Sequence, residues 1–200
     1  MTLPVINLAL SDTARMSLTK ANQQILLKLA RQSIEHGFKT GHPLCVNLRE
    51  YPRELIKQRA TFVTLEKNKN LRGCIGMLEA IFPLVEDIAE NAFSAAFKDP
   101  RFPPVQKNEI NDLQIHISIL SDPEPMHFSS EEDLLNQLRP NIDGLILEEG
   151  NHRGTFLPSV WETLPDKKQF LRHLKNKAGL PPDYWSDTVK VSRYTTETFC

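Results

Sequence analysis

The residues best suited to chemistry lie in the segment 71–76, whose sequence is LRGCIG. Side chains alternate between the two faces of a β-strand, so Arg72, Cys74 and Gly76 share one face. A positive neighbour favours the thiolate, the nucleophilic form of cysteine. Glycines within a strand, here Gly73 and Gly76, mark places where another group approaches the backbone. The segment therefore indicates a cysteine nucleophile or an anion-binding notch; the structural alternative is a helix packed closely on the glycines, with Cys74 as a small buried hydrophobic residue.

Two further arginines lie in stretches rich in proline or glycine. Arg101 is part of the run DPRFPP, and Arg153 is followed directly by a glycine. The guanidinium group matches the geometry of both carboxylate and phosphate. If Arg72, Arg101 and Arg153 converge, they form a pocket for a small anion. The alternative is three unrelated surface arginines that pair with nearby carboxylates.

His116 is the one histidine whose position suggests a catalytic role. The segment 113–119 alternates apolar and polar residues, which predicts a half-buried strand with His116 on its polar face. The imidazole could act as a base for Cys74 if the two strands are neighbours. The alternative is a solvated or hydrogen-bonded residue of the sheet. The sequence has no H-x-x-x-H or C-x-x-C spacing, so it predicts no metal site, and it has no cofactor motif.

The elements that must position these residues follow from the apolar periodicity and from the Pro and Gly breaks. Strands that occur as hairpins favour an α+β fold, with antiparallel sheets and flanking helices. We expect an N-terminal arm at 1–16 and a single domain at 17–200. The predicted helices are one from Ser17 or Thr19 that ends at Gly37, a brief one at Pro52–Arg59, one between Pro83 and Pro100, a short one after Ser130 and one at Asp166–Lys177. The predicted hairpins are 61–65 with a strand from Leu71, and 144–147 with 155–157. Single strands are expected at Leu44–Leu48, at 113–119 and around Val189 and Val191.

The composition limits the partners and the compartment. Lys and Arg total 24 against 25 Asp and Glu, and the net charge of -1 argues against nucleic-acid binding. The apolar runs are too short to span a membrane, and the start of the sequence lacks the basic region of a signal peptide. Three cysteines indicate a reducing compartment. We therefore expect a soluble cytoplasmic protein.

The LRGCIG segment resembles the hallmark of the AMMECR domain family, whose prokaryotic branch is called AmmeMemoRadiSam system protein A. Four other segments resemble family motifs in the same order, and the resemblance covers residues 17–200. They are NAFSAAFKDPRFPPV (91–105), LQIHISILSDPEP (113–125), GLILEEGNHRGTFLPSVW (144–161) and KAGLPPDYW (177–185).

The resemblance implies an α+β fold with two unequal lobes and with LRGCIG near the cleft between them. It also implies association with a Memo-like protein and a radical S-adenosylmethionine enzyme, although the family has no established reaction. Many members have a glutamate at the position of His116 and a cysteine at that of Lys175. We expect an enzyme or enzyme-system component whose cleft binds a small anion; the alternative is a non-catalytic binding, adaptor or regulatory module that uses the same cleft.

Overall fold

The computed structural model describes residues 17–200, which form helices α1 to α4 and strands β1 to β8. The helices are α1 (Lys20–Thr40), α2 (Leu84–Phe97), α3 (Glu131–Gln137) and α4 (Lys167–Lys177). The strands are β1 (Thr61–Lys67), β2 (Asn70–Gly76), β3 (Leu113–Leu120), β4 (Glu124–Pro125), β5 (Gly144–Glu149), β6 (His152–Phe156), β7 (Lys190–Tyr194) and β8 (Thr196–Phe199). The predicted α+β fold with antiparallel sheets is confirmed. The expected arm at 1–16 lies outside the described residues.

The first sheet has the strand order β2-β1-β3-β8, and each neighbouring pair is antiparallel. The β1–β2 hairpin turns at Asn68 and Lys69, with φ angles of 52° and 63°, as two-residue hairpin turns require. Apolar side chains such as Val63, Leu65 and Ile117 point to the face that α1 and α2 cover. The alternating polar positions therefore lie on the face away from these helices.

The second sheet has the order β4-β7-β5-β6. Its buried side chains pack with those of α3 and α4 around Trp161 and Phe170, whose rings stack with their centroids 3.7 Å apart. The Trp161 indole nitrogen donates a hydrogen bond of 2.7 Å to the Asp143 carbonyl, so the one polar atom of this buried ring is satisfied. This second core positions α4, which contributes to the site described below.

The two sheets are joined through β7 and β8, which are consecutive in the chain but belong to different sheets. The strand expected around Val189 and Val191 is confirmed as β7, whereas β8 was not predicted. Strand β8 pairs with β3 at the edge of the first sheet. A small cluster that includes Leu120 and Ile146 contains residues of both sheets.

Three predicted local features are wrong. Helix α1 does not end at Gly37 but continues to Thr40 and ends at Gly41, whose φ is 73°. Gly37 is instead the place where the rings of α2 pack against α1. The predicted strand at Leu44–Leu48 is not formed, because the Leu44 amide donates to the Ser33 hydroxyl at 3.1 Å.

The brief helix expected at Pro52–Arg59 is also wrong, and this segment forms turns. The carbonyls of Leu55 and Lys57 accept hydrogen bonds from the first amides of α2, at 3.2 and 2.9 Å. The segment therefore caps α2, whose first amides have no partner within their own helix.

Candidate functional site

Cys74, Thr64 and His116 form a row across three strands of the first sheet. Thr64 in β1 lies opposite Cys74 in β2 and also opposite His116 in β3. The Thr64 hydroxyl donates to the Cys74 sulfur at 3.2 Å. Since adjacent strands are about 4.8 Å apart, the backbones of β2 and β3 are separated by about 10 Å. The structure therefore places Thr64, and not His116, beside the thiol.

The imidazole of His116 has surroundings of its own. Its Nε2 is buried without a hydrogen-bond partner among the described residues, and it lies 3.5 Å from a carboxylate oxygen of Glu66 on the neighbouring strand. The sequence placed His116 correctly on the polar face. It could not show that β1 lies between β2 and β3.

The two glycines of the segment are explained by packing within the protein. A β-carbon on Gly73 would overlap the carbonyl oxygen of Ala95 in α2, and one on Gly76 would overlap backbone and ring atoms of Thr61 and Phe62. The Gly73 contact is the close helix packing that the structural alternative expected, whereas Gly76 is crowded by the neighbouring strand β1 and not by a helix. Cys74 differs from that alternative because its side chain is partly exposed rather than buried.

Arg72 is held by acceptors of the protein itself. Its guanidinium donates to both carboxylate oxygens of Glu109, at 3.3 and 3.0 Å, and to the Pro103 carbonyl at 2.9 Å. The Arg72 hydrogen bonds, together with those from the Gln106 amide and the Lys67 ammonium, lower the pKa of Glu109 to about 2. Arg72 thus ties β2 to the loop that follows α2.

Asp99 and Arg101 form a clamp on the backbone of Cys74. The Cys74 amide donates to Asp99 at 2.8 Å, and the Arg101 guanidinium donates to the Cys74 carbonyl at 3.2 Å. Arg101 also donates to both oxygens of Asp99, at 3.0 and 2.7 Å. These bonds, first those from Arg101, hold the pKa of the Asp99 carboxyl well below its usual range. Strand β2 is an edge strand, so the clamp occupies backbone groups that would otherwise be open to pairing.

Lys177, the last residue of α4, brings a second cation to this part of the fold. Burial lowers the pKa of its ammonium, the Arg101 guanidinium lowers it further, and the Cys74 sulfur has the opposite effect. The nitrogen lies 5.1 Å from the centroid of the Phe156 ring. Among residues 17–200 it has neither a hydrogen-bond acceptor nor an ion-pair partner. The last turn of α4 thus carries an exposed cation whose charge interacts with the Arg101 guanidinium and with the Cys74 sulfur.

The position of Lys177 follows from close packing at the end of α4. A β-carbon on Gly154 in β6 would lie 2.8 Å from the backbone nitrogen of Ala178, so the chain after α4 lies directly on the strand. A His152 ring nitrogen is 3.1 Å from the Ala178 carbonyl and adds a hydrogen bond there. These contacts fix the direction in which the last turn of the helix leaves the second core.

Arg153 does not join this group of residues. Its guanidinium is paired with Glu79 at 2.9 Å and with Glu148 at 3.3 Å, and all three side chains are well exposed. Within the described part of the chain, no hydrogen bond or ion pair connects Arg153 with Arg72, Arg101 or Cys74. The three arginines singled out in the sequence therefore have separate carboxylate partners.

Three residues beside Cys74 were missed as site residues in the sequence: Thr64, Asp99 and Lys177. The turn alone would set a register with Val63 opposite Cys74, and a bulge between Leu65 and Glu66 shifts it by one residue and brings Thr64 there. Lys177 begins the KAGL segment that carries part of the family resemblance, but only the packing of α4 reveals what it faces. In residues 17–200, no cluster of three or more His, Cys, Asp or Glu side chains could hold a metal ion.

The comparisons with known proteins agree with this fold. The family model described as AMMECR1 matches residues 27–199. The chain belongs to the AMMECR1 family. The crystal structure of the uncharacterised protein PH0010 from Pyrococcus horikoshii is similar with a TM-score of 0.83 and 37% identity, and the match covers 90% of this chain and 92% of that one.

Two other archaeal relatives of this AMMECR1-family protein match along most of their length. A protein of Methanothermobacter thermautotrophicus is 40% identical over 91% of this chain and 95% of its own. Protein MJ0810 of Methanocaldococcus jannaschii is 38% identical over 91% of each chain. The descriptions of these relatives name no activity. In the described part of the chain, no helix is long and apolar enough to cross a membrane.

Proposed function

We propose that this AMMECR1-family protein binds a small anionic ligand at Cys74, as an enzyme or a component of an enzyme system. We define the Cys74 site as Cys74, Thr64, Arg101 and Lys177. The observation that carries the proposal is the Lys177 ammonium, which is near a thiol and a guanidinium and has no carboxylate partner among residues 17–200. Lys177 is exposed, so a cation without a counter-ion is open there to an anion from solution.

The charge balance of the site supports an anion rather than a neutral ligand. Asp99 compensates the charge of Arg101, and Lys177 then leaves an excess of one positive charge. Burial disfavours the charged form of that ammonium and lowers its pKa. A bound anion would reverse this effect, so we expect ligand binding to raise the pKa of Lys177.

The proposal narrows the set of residues expected to contact the ligand. Arg72, Arg101 and Arg153 all have carboxylate partners. Arg101 stays in the site because it also donates to the Cys74 carbonyl, whereas we assign Arg72 to the support of β2 and leave Arg153 outside the site. Gly73 and Gly76 are assigned to close packing. Thr64 enters as a donor to the thiol, a role that stabilises a thiolate.

The second candidate is a non-catalytic binding or adaptor module that uses the same Cys74 site. The distance between β2 and β3 favours it, because His116 is not next to Cys74 and the described contacts give the thiol no general base. Under either candidate, a Memo-like protein and a radical S-adenosylmethionine enzyme are the partners that the family resemblance implies. Turnover of a bound anion separates the two candidates, since the adaptor binds without converting it.

The experiment compares the alkylation of Cys74 by iodoacetate, an anion, and by iodoacetamide, which is neutral. Cys45 and Cys200 are exposed, so the measurement uses a Cys45→Ser/Cys200→Ser background. Lys177→Gln should lower the iodoacetate-to-iodoacetamide rate ratio by about five-fold, because a charge near the thiol is removed. Lys168→Gln, on the exposed side of the same helix, is the matched control.

A second arm measures whether inorganic phosphate slows the iodoacetamide reaction of Cys74. Saturable protection that is lost in Lys177→Gln supports the site. An unchanged rate ratio in Lys177→Gln, together with no protection by phosphate, overturns the proposal.

A further inference from the structure

A second cavity lies between α3 and α4, and it shares no lining residue with the Cys74 site. Its volume is about 740 Å³, which is within the range of pockets that hold small-molecule ligands. The lining combines charged side chains of both helices with a little apolar surface. It includes Glu131, Glu132 and Leu135 of α3, Lys168 and Arg172 of α4, and Asp183. We call this cavity the α3–α4 groove.

The charges of the α3–α4 groove are divided between its two helices. Glu131 and Glu132 belong to the first turn of α3, whereas Lys168 and Arg172 belong to α4. Residues four positions apart lie on the same face of a helix, so both cations of α4 face the groove. Among residues 17–200, no ion pair joins either cation to Glu132 or to Asp183. The groove therefore keeps opposite charges apart, with space for a ligand between them.

One carboxylate of the groove is held in place by a buried lysine. The Lys175 ammonium, with 1% of its side chain exposed, lies 2.9 Å from Oε1 of Glu131 and 5.5 Å from the centroid of the Trp185 ring. Lost hydration offsets much of the attraction in a buried ion pair, so such a pair adds little stability. It does fix the position of the Glu131 carboxylate, whose second oxygen accepts no hydrogen bond from the described residues. A lining residue thus keeps one oxygen available to a ligand.

The balance of charge in the groove favours a ligand that carries both signs. The three carboxylates of the lining are balanced by the two cations of α4 and by Lys175. A purely anionic ligand would be repelled by the carboxylates, and a purely cationic one by the cations of α4. A zwitterion with its charges at opposite ends pairs with both groups. An adjoining cavity of about 290 Å³, which shares Arg172 and Pro182 with the groove, extends it along α4. This elongated form suits a peptide.

We propose that the α3–α4 groove binds a short zwitterionic peptide, with its ammonium group at Glu131 and Glu132 and its carboxylate at Lys168 and Arg172. The placement of carboxylates and cations on two helices across one cavity carries the inference. Bonds between ammonium and carboxylate groups, and between guanidinium and carboxylate groups, are the stronger hydrogen bonds of proteins. The inference goes beyond the proposed function, because it assigns a second site with a ligand of its own.

The experiment titrates the full chain with the dipeptide alanyl-leucine and follows the amide chemical shifts by NMR. We expect saturable shifts in α3, in α4 and around Asp183. Two blocked dipeptides are the matched probes: N-acetyl-alanyl-leucine lacks the ammonium group, and alanyl-leucine amide lacks the carboxylate. Each should bind about ten-fold more weakly than the parent dipeptide, because one set of charged hydrogen bonds is lost.

Two substitutions assign the ends of the ligand. Arg172→Gln should weaken the binding of alanyl-leucine by about ten-fold and leave the affinity for the amide unchanged, since the amide has no carboxylate. Glu132→Gln should likewise weaken the parent dipeptide and leave the affinity for the acetylated one unchanged. Arg53→Gln and Glu162→Gln, at exposed residues outside the groove, are the matched controls and should bind as wild type does.

Three results would each overturn the inference. The first is the absence of saturable shifts in the groove up to about 10 mM dipeptide. The second is equal binding of the parent and of either blocked dipeptide, because only one charge would then be recognised. The third is an unchanged affinity for alanyl-leucine in both Arg172→Gln and Glu132→Gln. None of these results bears on the Cys74 site, whose own test measures the alkylation of the thiol.

Discussion

Arg72 and Lys177 are both cations close to β2, but their surroundings differ. Arg72 donates three hydrogen bonds to Glu109 and Pro103, whereas Lys177 donates none to residues 17–200. The first cation ties the start of the LRGCIG segment to the loop after α2. The second is exposed at the end of α4. Only the first cation is thus committed to holding the fold together.

The difference has a physical basis in the cost of burial. Arg72 is half-buried, and its hydrogen bonds compensate the hydration that it loses, whereas Lys177 is exposed and has no such partner among residues 17–200. Glu109 and Asp99 have lowered pKa values because cations bond to them. Lys177 has a lowered pKa because its charge is disfavoured. The first pattern is typical of structural ion pairs, and the second is typical of sites that act on another molecule.

We expect the largest loss of stability from a substitution of Gly73, which lies between Arg72 and Cys74 in the motif. Gly73→Ala places a methyl group against the Ala95 carbonyl, and neither backbone can move away without separating β2 from α2. We expect a loss of about 3 kcal/mol in the free energy of unfolding, measured by urea denaturation. If the variant keeps wild-type stability, the close contact of β2 with α2 is not what the glycine serves.

Arg72→Ala and Lys177→Ala test the comparison directly. Arg72→Ala leaves the Glu109 carboxylate, with 14% of its side chain exposed, without its main donor, and we expect a loss of about 2 kcal/mol in stability. Lys177→Ala removes a cation that has no partner, so its effect should stay within about 0.5 kcal/mol. Urea midpoints measured at one pH compare the two. A loss in Lys177→Ala as large as that in Arg72→Ala would mean that Lys177 is a structural residue.

The sequence was sufficient to predict the fold class because the patterns that indicate helices, strands and turns are local. Alternation and turn residues are properties of short segments, so both hairpins, the β3 strand and the three longer helices were found. Strand β8 was missed because its four residues form a strand only by pairing with β3, far away in the chain. The end of α1 was misplaced at Gly37 for a similar reason. That glycine serves a contact with α2, and a sequence does not distinguish this role from a helix stop.

The candidate site was less accessible to sequence reasoning because charge pairing is a tertiary property. The motif drew attention to Arg72 and Cys74. Nothing in it shows that Arg72 is already paired with Glu109, or that the charge of Lys177 in α4 interacts with Cys74. His116 has the right residue type, yet the strand order puts β1 between it and Cys74, and Arg153 is paired with Glu79 and Glu148. The sequence indicates the type of each residue and the face of the strand on which it lies. It does not show which charged groups already have partners.

The smallest loss of stability predicted for an ion-paired residue is that of Glu109→Gln, and its dependence on acid isolates the structural part of the motif. The pKa of Glu109 is lowered to about 2 from an ordinary 4.5. A carboxyl with a depressed folded-state pKa adds stability above its unfolded pKa, and this stability is lost as the pH falls from about 5 to about 2. We expect Glu109→Gln to lose about 1 kcal/mol at neutral pH, after allowance for solvent screening, and to lose less stability than wild type on acidification.

The test uses the difference in the free energy of unfolding between wild type and Glu109→Gln at each pH. Neither pH curve is sufficient alone, because Asp87 changes the stability with pH in the opposite direction. Burial raises the pKa of that carboxyl to about 6, so its contribution is complete below about pH 4 and declines as the pH rises through 6. Subtraction of the two unfolding curves cancels the contribution of Asp87, which is bonded to Thr61 and Asn91 and not to Arg72 or Glu109. A difference that is constant from pH 2 to pH 6 would show that Arg72 stabilises β2 through contacts other than its bond to the Glu109 carboxylate. The contrast between a satisfied Arg72 and an unsatisfied Lys177 would then lose its electrostatic basis.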